Sequence, residues 1–313
     1  MKIAFAGKWW SGKTTLTSLF IQYLCQEKKK IIAIDADINV WLADSLWIQY
    51  DKEKYISQSE SIQAIRNTLI WENKKILSPN HFVKTTPPWC GSYIIDWQKQ
   101  DFFNRFCSYQ DDVLKFFHVW TYTKHEIWIS CYHTHLSILE NIISHTCLCD
   151  NEYMIVDMVA WNDSFSNTLH SQFDAIYLIV EPTKESIDMA KWFMDLALHS
   201  KESSKIIFIW NKIEDEDDTN YLYKNWISVD FYFPYNKHFK KYRRDGIIIK
   251  DEDMEHIFTD ILKYLHTEIT IDKNKKLQDL HTIHKKYIQL DYIKEPLWDL
   301  SGQIDLDFKF SIC

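Results

Sequence analysis

Between Gly7 and Thr15 the chain reads Gly-Lys-Trp-Trp-Ser-Gly-Lys-Thr-Thr. A glycine, four residues, then Gly12, Lys13 and Thr14 is the spacing of a phosphate-binding loop. Such a loop at the mouth of a helix offers consecutive backbone N–H groups, and the positive end of the helix dipole, to a polyphosphate. In that chemistry Lys13 neutralises charge on a transferred phosphoryl group, and the Thr14 hydroxyl ligates Mg²⁺. Three aspartates, Asp35, Asp37 and Asp157, stand where apolar runs end, the usual address of residues that serve a bound nucleotide. A second lysine, Lys8, directly follows the first glycine.

The elements that must hold these groups follow from the hydrophobic pattern. Lys2–Ala6 is a short apolar strand. After the loop, Leu16, Leu19, Phe20, Tyr23 and Leu24 recur at helical spacing, and Lys28–Lys30 places cations at the helix end, where the dipole favours them. Ile31–Ile34 is a second buried strand running into Asp35–Asp37. Strand, loop, helix and strand in this order form a βαβ unit and imply a parallel sheet. The rhythm then weakens. Residues 50–130 read as an irregular insertion with a helix over Glu60–Trp71 and a strand over Val113–Val119. It resumes with a helix at Leu136–His145 and strands at Tyr153–Val156, Ala175–Val180, Lys205–Ile209 and Val229–Phe233, with helices at Lys184–Leu198 and Met254–His266. The expected fold is α/β, a doubly wound, mostly parallel sheet of the P-loop NTPase type. One main domain spans residues 1–266, and residues 267–313 form a C-terminal extension. Leu277–Leu290 reads as a docked surface helix, and Ile304, Leu306, Phe308 and Phe310 alternate in the tail.

Composition narrows the function. The chain has 313 residues, 46% hydrophobic and 26% charged, with a formal net charge of −8. That balance argues against a general nucleic-acid or anionic-membrane binder. No apolar run approaches the ~18–20 residues of a bilayer span, and the N-terminal apolar run is too short for a signal-peptide core, so the cytosol is the expected location. Seven cysteines, an odd number, do not read as a disulfide scaffold.

The loop resembles that of the deviant Walker A ATPases, the family of MinD, ParA, the nitrogenase iron protein and the CooC-type nickel-insertion ATPases. Their loop reads Gly-Lys-Gly-Gly-x-Gly-Lys-Thr-Thr. Gly7, Lys8, Gly12, Lys13, Thr14 and Thr15 stand in place here, with Ser11 at the free position. The resemblance extends over roughly residues 1–45 and 130–265, and it implies ATP and Mg²⁺ as ligands. Gly7, Lys8, Trp9, Trp10, Ser11, Gly12, Lys13, Thr14 and Thr15 would cradle the phosphates. Lys8 would reach the partner's phosphates across a nucleotide-sandwich homodimer. Asp37 would orient the attacking water, Asp35 would support the Mg²⁺ shell, and Asp157 would lie near Mg²⁺ through water. Asn211–Lys212 and Pro234–Tyr235 resemble the base-contacting segments.

The family's use of a metal suggests a second site. Cys131 and His133 would be a Cys/His version of the Cys-x-Cys pair that binds metal across the dimer axis in CooC-type relatives, here for Zn²⁺ or Ni²⁺. The expected function is an ATP-hydrolysing dimeric switch acting on a client protein, with metallocentre maturation first. A ParA/MinD-type positioning ATPase is the alternative, and a degenerate scaffold without hydrolysis the third. Neither nucleic-acid binding nor stable membrane association is expected.

The departure from the family is Trp9–Trp10, where relatives have two glycines. The chain contains 5 glycines, against roughly 22 at average usage, and 14 tryptophans. Trp47 stands at a helix C-cap, Trp89 follows Pro87–Pro88 in a turn, Trp161 falls in the segment after Asp157, and Trp210 precedes Asn211–Lys212. Glycine is expected at Trp47 and Trp89 from helix-end and turn chemistry, and at Trp161 and Trp210 because the family that the loop resembles has glycine there. The pattern suggests a gene in which UGA means glycine, written out as though UGA meant tryptophan.

Overall fold

The computed structural model describes residues 1–120, 132–158, 168–225, 227–237, 239, 241, 244 and 252–310. Eight strands form one sheet: β1 (Lys2–Gly7), β2 (Lys30–Ala36), β3 (Tyr109–Gln110), β4 (Leu114–His118), β5 (Glu152–Met158), β6 (Ala175–Val180), β7 (Ile206–Ile213) and β8 (Phe231–Pro234). Their order is β3-β4-β2-β5-β1-β6-β7-β8. All neighbours run parallel except the short β3, which pairs antiparallel with β4 at the edge. Strands β3 and β4 come from the segment whose pattern looked irregular, and β4 lies directly against β2.

Both faces of the sheet are covered, which is why its strands read as continuous apolar runs rather than alternating ones. In β1, Ile3 and Phe5 pack with Leu16, Phe20 and Leu24 of α1 (Lys13–Gln26). Ala4 and Ala6 face the opposite layer, where Leu139, Ile142 and Ile143 of α5 (Tyr132–Ser144) belong to the same core. β6 divides likewise, with Tyr177 and Ile179 on the first face and Ile176 and Leu178 on the second. The small alanines of β1 let the second layer approach closely, while the Phe5 ring meets Phe20 and Tyr177 at centroid distances of 5.9 and 5.0 Å.

Further helices complete the layers: α2 (Trp41–Leu46), α3 (Ser59–Ile70), α4 (Gln100–Phe106), α6 (Leu169–Gln172), α7 (Lys184–Ser200), α8 (Glu216–Lys224) and α9 (Glu252–Thr267). Helix α7 is capped at its start by the Thr183 hydroxyl, which accepts the Ser186 N–H. The C-terminal extension supplies α10 (Lys273–Tyr287) and α11 (Asp291–Leu297). α10 is the docked helix expected there, with Leu277, Leu280, His281 and His284 buried. The alternation at 304–310 does not become a strand, because no described strand lies alongside to pair with it.

At the N-terminal end of the strands, charged groups fasten this extension to the sheet. Asp174, just before β6, accepts the Lys2 backbone N–H at 2.6 Å and pairs with Lys276 of α10. Lys273 donates to the Leu148 carbonyl at 2.9 Å, and Lys2 Nζ to the Ile143 carbonyl at 2.5 Å. No described helix is long and apolar enough to cross a membrane.

Candidate functional site

The loop that follows β1 lies at the carboxyl ends of the parallel strands. Two glycines are needed there for different reasons. A Cβ on Gly7 would sit 2.8 Å from both the Ile179 carbonyl oxygen and Ser11 Oγ. Gly12 has φ 94°, and a Cβ there would collide with the Asn211 side-chain nitrogen. That collision is the reverse side of a positioning contact, since Asn211 Nδ2 donates to the Ser11 carbonyl at 2.6 Å. β7 therefore buttresses the loop through Asn211.

Lys13 is buried at the centre. Its ammonium lies 3.0 Å from Asp157 Oδ1 and 3.6 Å from Asp37 Oδ2, and it also donates to the Met158 carbonyl. Burial works against its charge, but the Asp157 and Asp37 carboxylates outweigh it and hold the lysine above its ordinary pKa. Asp157 is fully buried at the end of β5, and burial raises its own pKa despite Lys13. The Thr14 side chain, like Lys13, works against that rise, and Thr17 Oγ1 donates to the Asp157 Oδ1 at 3.3 Å. Asp157 Oδ2 is buried without a hydrogen-bond partner. A buried carboxylate oxygen left unmatched beside a threonine hydroxyl suits Mg²⁺, a hard cation that takes oxygen ligands and keeps several waters.

Asp35 and Asp37 have separate tasks. Asp35 accepts the backbone N–H groups of Asp37 at 3.0 Å and Leu42 at 2.8 Å, so both carboxylate oxygens fix the turn from β2 into α2. Burial, and then the nearby Asp157 charge, push its pKa well above the carboxylate range. Asp37 stands at the rim, accepting from the Asn39 backbone and side chain at 3.2 and 3.1 Å while facing Lys13.

The loop's other lysine is held by its own chain. Lys8 Nζ is 3.3 Å from Glu181 Oε1 and 3.9 Å from Glu185 Oε2. Glu181, at the end of β6, is buried, and its second oxygen pairs with Lys212 at 2.8 Å. Lys212 also donates to the Trp10 carbonyl. The motif spacing gave Glu181 no role, although it stands at a strand end like the aspartates.

These groups border a cavity of about 530 Å³. Its walls include Lys8, Trp9, Trp10, Gly12, Lys13, Thr14, Thr15 and Asp37 from the loop and the end of β2, and Asn211, Lys212, Pro234 and Tyr235 from β7, β8 and the turn beyond. Segments more than 200 residues apart in the chain thus converge on one cavity. Gly7, Ser11, Asp35 and Asp157 lie behind this wall as its support. Asn39, Trp41, Lys237 and Phe239 line it too and were not singled out by sequence. No motif marks them, because they reach the cavity only through the turn after β2 and the segment after β8.

The tryptophans separate into two kinds. Trp9 and Trp10 are exposed, and Trp10 has φ 71°, a conformation costing a non-glycine residue about 1–3 kcal/mol. Trp47 is the left-handed C-cap of α2, as its position after Leu42–Leu46 suggested. Two of the expected glycine positions are corrected. Trp210 is buried in β7, its indole N–H donating to the Ser228 carbonyl at 2.9 Å and its ring set against Tyr223. Trp89 opens a turn closed by Ser92 N–H to its carbonyl at 2.8 Å, and Gly91 takes the positive φ there. Trp161 lies outside the described residues. So do Cys131 and the side chain of His133, which sits in the first turn of α5. Among the described residues no cluster of three or more metal-ligating side chains occurs.

Comparison with known proteins agrees with this geometry. No family model matches the chain. An uncharacterized ATP-binding protein of Methanocaldococcus jannaschii is 24% identical over 220 residues, covering 69% of this chain and 80% of that protein. Among solved structures, a ParA family ATPase from Chlorobium tepidum superposes with a TM-score of 0.55 at 13% identity, covering 84% of this chain and 99% of that one. A putative plasmid partition protein from Borrelia burgdorferi, bound to AMPPNP, gives 0.54 at 12% identity, covering 86% and 99%. The chain thus has the fold of the ParA/MinD P-loop ATPases, built around the deviant Walker A loop that its sequence carries from Gly7 to Thr15.

Proposed function

We propose that this protein binds Mg²⁺ and ATP at the loop, dimerises in doing so, and hydrolyses ATP to reset the dimer. The observation that carries the reading is Lys13. It is a buried cation held among Asp157, Asp37 and the Met158 carbonyl at the mouth of a half-open cavity, with the start of α1 beneath it. A triphosphate entering there meets loop N–H groups, the helix dipole and the lysine together. Lys13 neutralises the transferred phosphoryl group, and Thr14 and Asp157 would hold Mg²⁺. Mg²⁺ supplies charge neutralisation on the phosphate oxygens. Asp37, at the rim, orients the attacking water. Asn211, Lys212, Pro234 and Tyr235 border the end of the cavity where the base would lie.

Lys8 serves the dimer. In the single chain its charge rests on Glu181 and Glu185, and it transfers to the partner's phosphates when two nucleotide-loaded copies meet. Positioning or partition of a cargo, with a client protein, is one downstream role that fits this reading, in keeping with the ParA-type fold. Metallocentre maturation would rest on Cys131 and His133, and metal retained by the purified dimer would favour it. ATP turnover with ATP-dependent light scattering tests the whole reading. Turnover lost in Lys13→Ala, and dimerisation lost in Lys8→Ala, are the expected results. A wild-type protein that binds ATP without hydrolysing it would reduce the protein to a nucleotide-binding scaffold.

A further inference from the structure

Nine non-glycine residues among the described ones have positive φ, and four of them are tryptophan: Trp10, Trp47, Trp71 and Trp298. Tryptophan makes up only 14 of the 313 residues, and a bulky aromatic has no chemical reason to favour that region. Asparagine and aspartate, the side chains that tolerate it, supply one of the nine, Asn151.

Each of the four occupies a place whose backbone geometry is a glycine signature. Trp10 is the third residue of a four-residue turn closed by Ser11 N–H to the Lys8 carbonyl at 3.1 Å. A positive φ at that position defines a type II turn and calls for glycine. The chain supplies its own control. In the turn closed by Ser92 N–H to the Trp89 carbonyl, the same third position is Gly91, with φ 90°. Trp47, Trp71 and Trp298 each follow the last residue of a helix, at the ends of α2, α3 and α11. That is the commonest site of glycine in helix termination. Trp47 is left-handed, with φ 57° and ψ 34°. Trp298, at φ 64° and ψ −145°, approaches a region used essentially by glycine alone. Trp71, at φ 47° and ψ −111°, lies outside the left-handed well altogether.

Side-chain surroundings add to this, although exposure alone does not mark the four, since Trp9 and Trp192 are 56% and 54% exposed without a positive φ. The four positive-φ indoles are 50% to 81% exposed. Trp97, Trp120 and Trp210 are 7% exposed or less and are fitted into place. Trp97 lies beneath Lys115 and Lys30, Trp120 stacks on His135 with ring centroids 4.5 Å apart, and Trp210 has its hydrogen bond to Ser228. We infer that residues 10, 47, 71 and 298 are glycine in the natural protein, encoded by UGA in a code that reads this codon as glycine. Residues 97, 120 and 210 are true tryptophans encoded by UGG. Three of the four glycine positions lie outside the phosphate loop, so the inference stands independently of ATP binding. At residue 10, glycine would also clear an indole from the cavity wall.

The test is tandem mass spectrometry of peptides from the protein purified from its own cells, with the codons read from the gene. Glycine at 10, 47, 71 and 298 with tryptophan at 97, 120 and 210 is the expected result. Tryptophan at any of the four, or UGG there, overturns the assignment. A heterologously made chain carrying Trp47→Gly, Trp71→Gly and Trp298→Gly gives a second reading, because none of the three touches the nucleotide cavity. Its Tm should rise by several degrees over the chain as written, whereas an unchanged or lower Tm contradicts the inference. If glycine is found and the protein binds no ATP, the recoding holds and the proposed function fails.

Discussion

Two lysines, buried Lys13 and half-buried Lys2, stand at opposite ends of β1, and the surroundings of one invert those of the other. Lys13, beyond its carboxyl end, sits among carboxylates that raise its pKa above the ordinary value. Lys2, at its beginning, is pushed down to about 7 by burial and then by the neighbouring Lys276 charge. Both ends carry a cavity of about 530 Å³, yet their charges do different work. At the N-terminal end, Asp174, Lys273 and Lys276 fasten α10 to the strands, and their partners are backbone groups and one another. At the C-terminal end, three aspartates crowd around one lysine and leave Asp157 Oδ2 without a partner. An arrangement that keeps like charges together and a buried oxygen unmatched costs stability, and it makes sense where a ligand completes it. The contrast assigns one end to holding the fold and, under the proposed function, the other to the nucleotide.

The sharpest way to break this contrast is to remove a charge from each end. Asp174→Ala takes the partner from half-buried Lys276 and from the Lys2 backbone N–H and should cost about 1–3 kcal/mol of stability, read as a lower denaturant midpoint, with ATP turnover per folded molecule unchanged. Asp37→Asn should do the reverse, lowering turnover about 10²–10³-fold, the scale of losing one transition-state contact, with the midpoint unchanged. If Asp174→Ala abolished turnover in folded protein, or Asp37→Asn unfolded the chain, the division between the two ends would be wrong.

The lysines predict opposite pH behaviour. Lys2 binds its proton less readily in the folded state than in the unfolded one, so stability should rise with pH between about 7 and its unfolded value of 10.5. The slope approaches about 1.4 kcal/mol per pH unit, and Lys2→Met should flatten it in chemical denaturation series. Lys13 is shifted upward, so its contribution is fully present below 10.5 and is lost as pH rises through its folded value. The smallest effect belongs to Glu181. Glu181→Gln releases Lys8 and Lys212 from a pairing worth about 1 kcal/mol, and dimerisation should then need about fivefold less ATP by light scattering.

How much of this was legible beforehand depended on whether a group's task is local in the chain. The β1-loop-α1 unit was readable because Gly7, Gly12 and Lys13 do their work within one turn of one another. Asp35, Asp37 and Asp157 were readable as strand ends. That Asp35 would hold two backbone N–H groups was not, since it depends on how the chain turns into α2. Glu181 escaped because its role exists only where β6 and β7 lie beside β1, bringing Lys8 and Lys212 to one carboxylate. The apolar alternation at 304–310 has the period of a strand, but no described strand lies alongside to pair with it. Trp210 looked like a misplaced glycine from its sequence context, and only its hydrogen bond to the Ser228 carbonyl and its ring contact with Tyr223 show that an indole fits there. Trp71 and Trp298 escaped for the opposite reason, because the backbone angles that expose them cannot be seen in a string of residue names.

The most direct measurement is calorimetric titration of Mg²⁺ and ATP into the protein purified from its own cells, alongside Lys13→Ala expressed in the same cells. Saturable binding at one site per chain, lost in the variant while its circular dichroism spectrum stays native, is the predicted result. Absence of binding in the unaltered protein, or equal binding by the variant, would contradict the claim that the loop after β1 holds a triphosphate through its buried lysine.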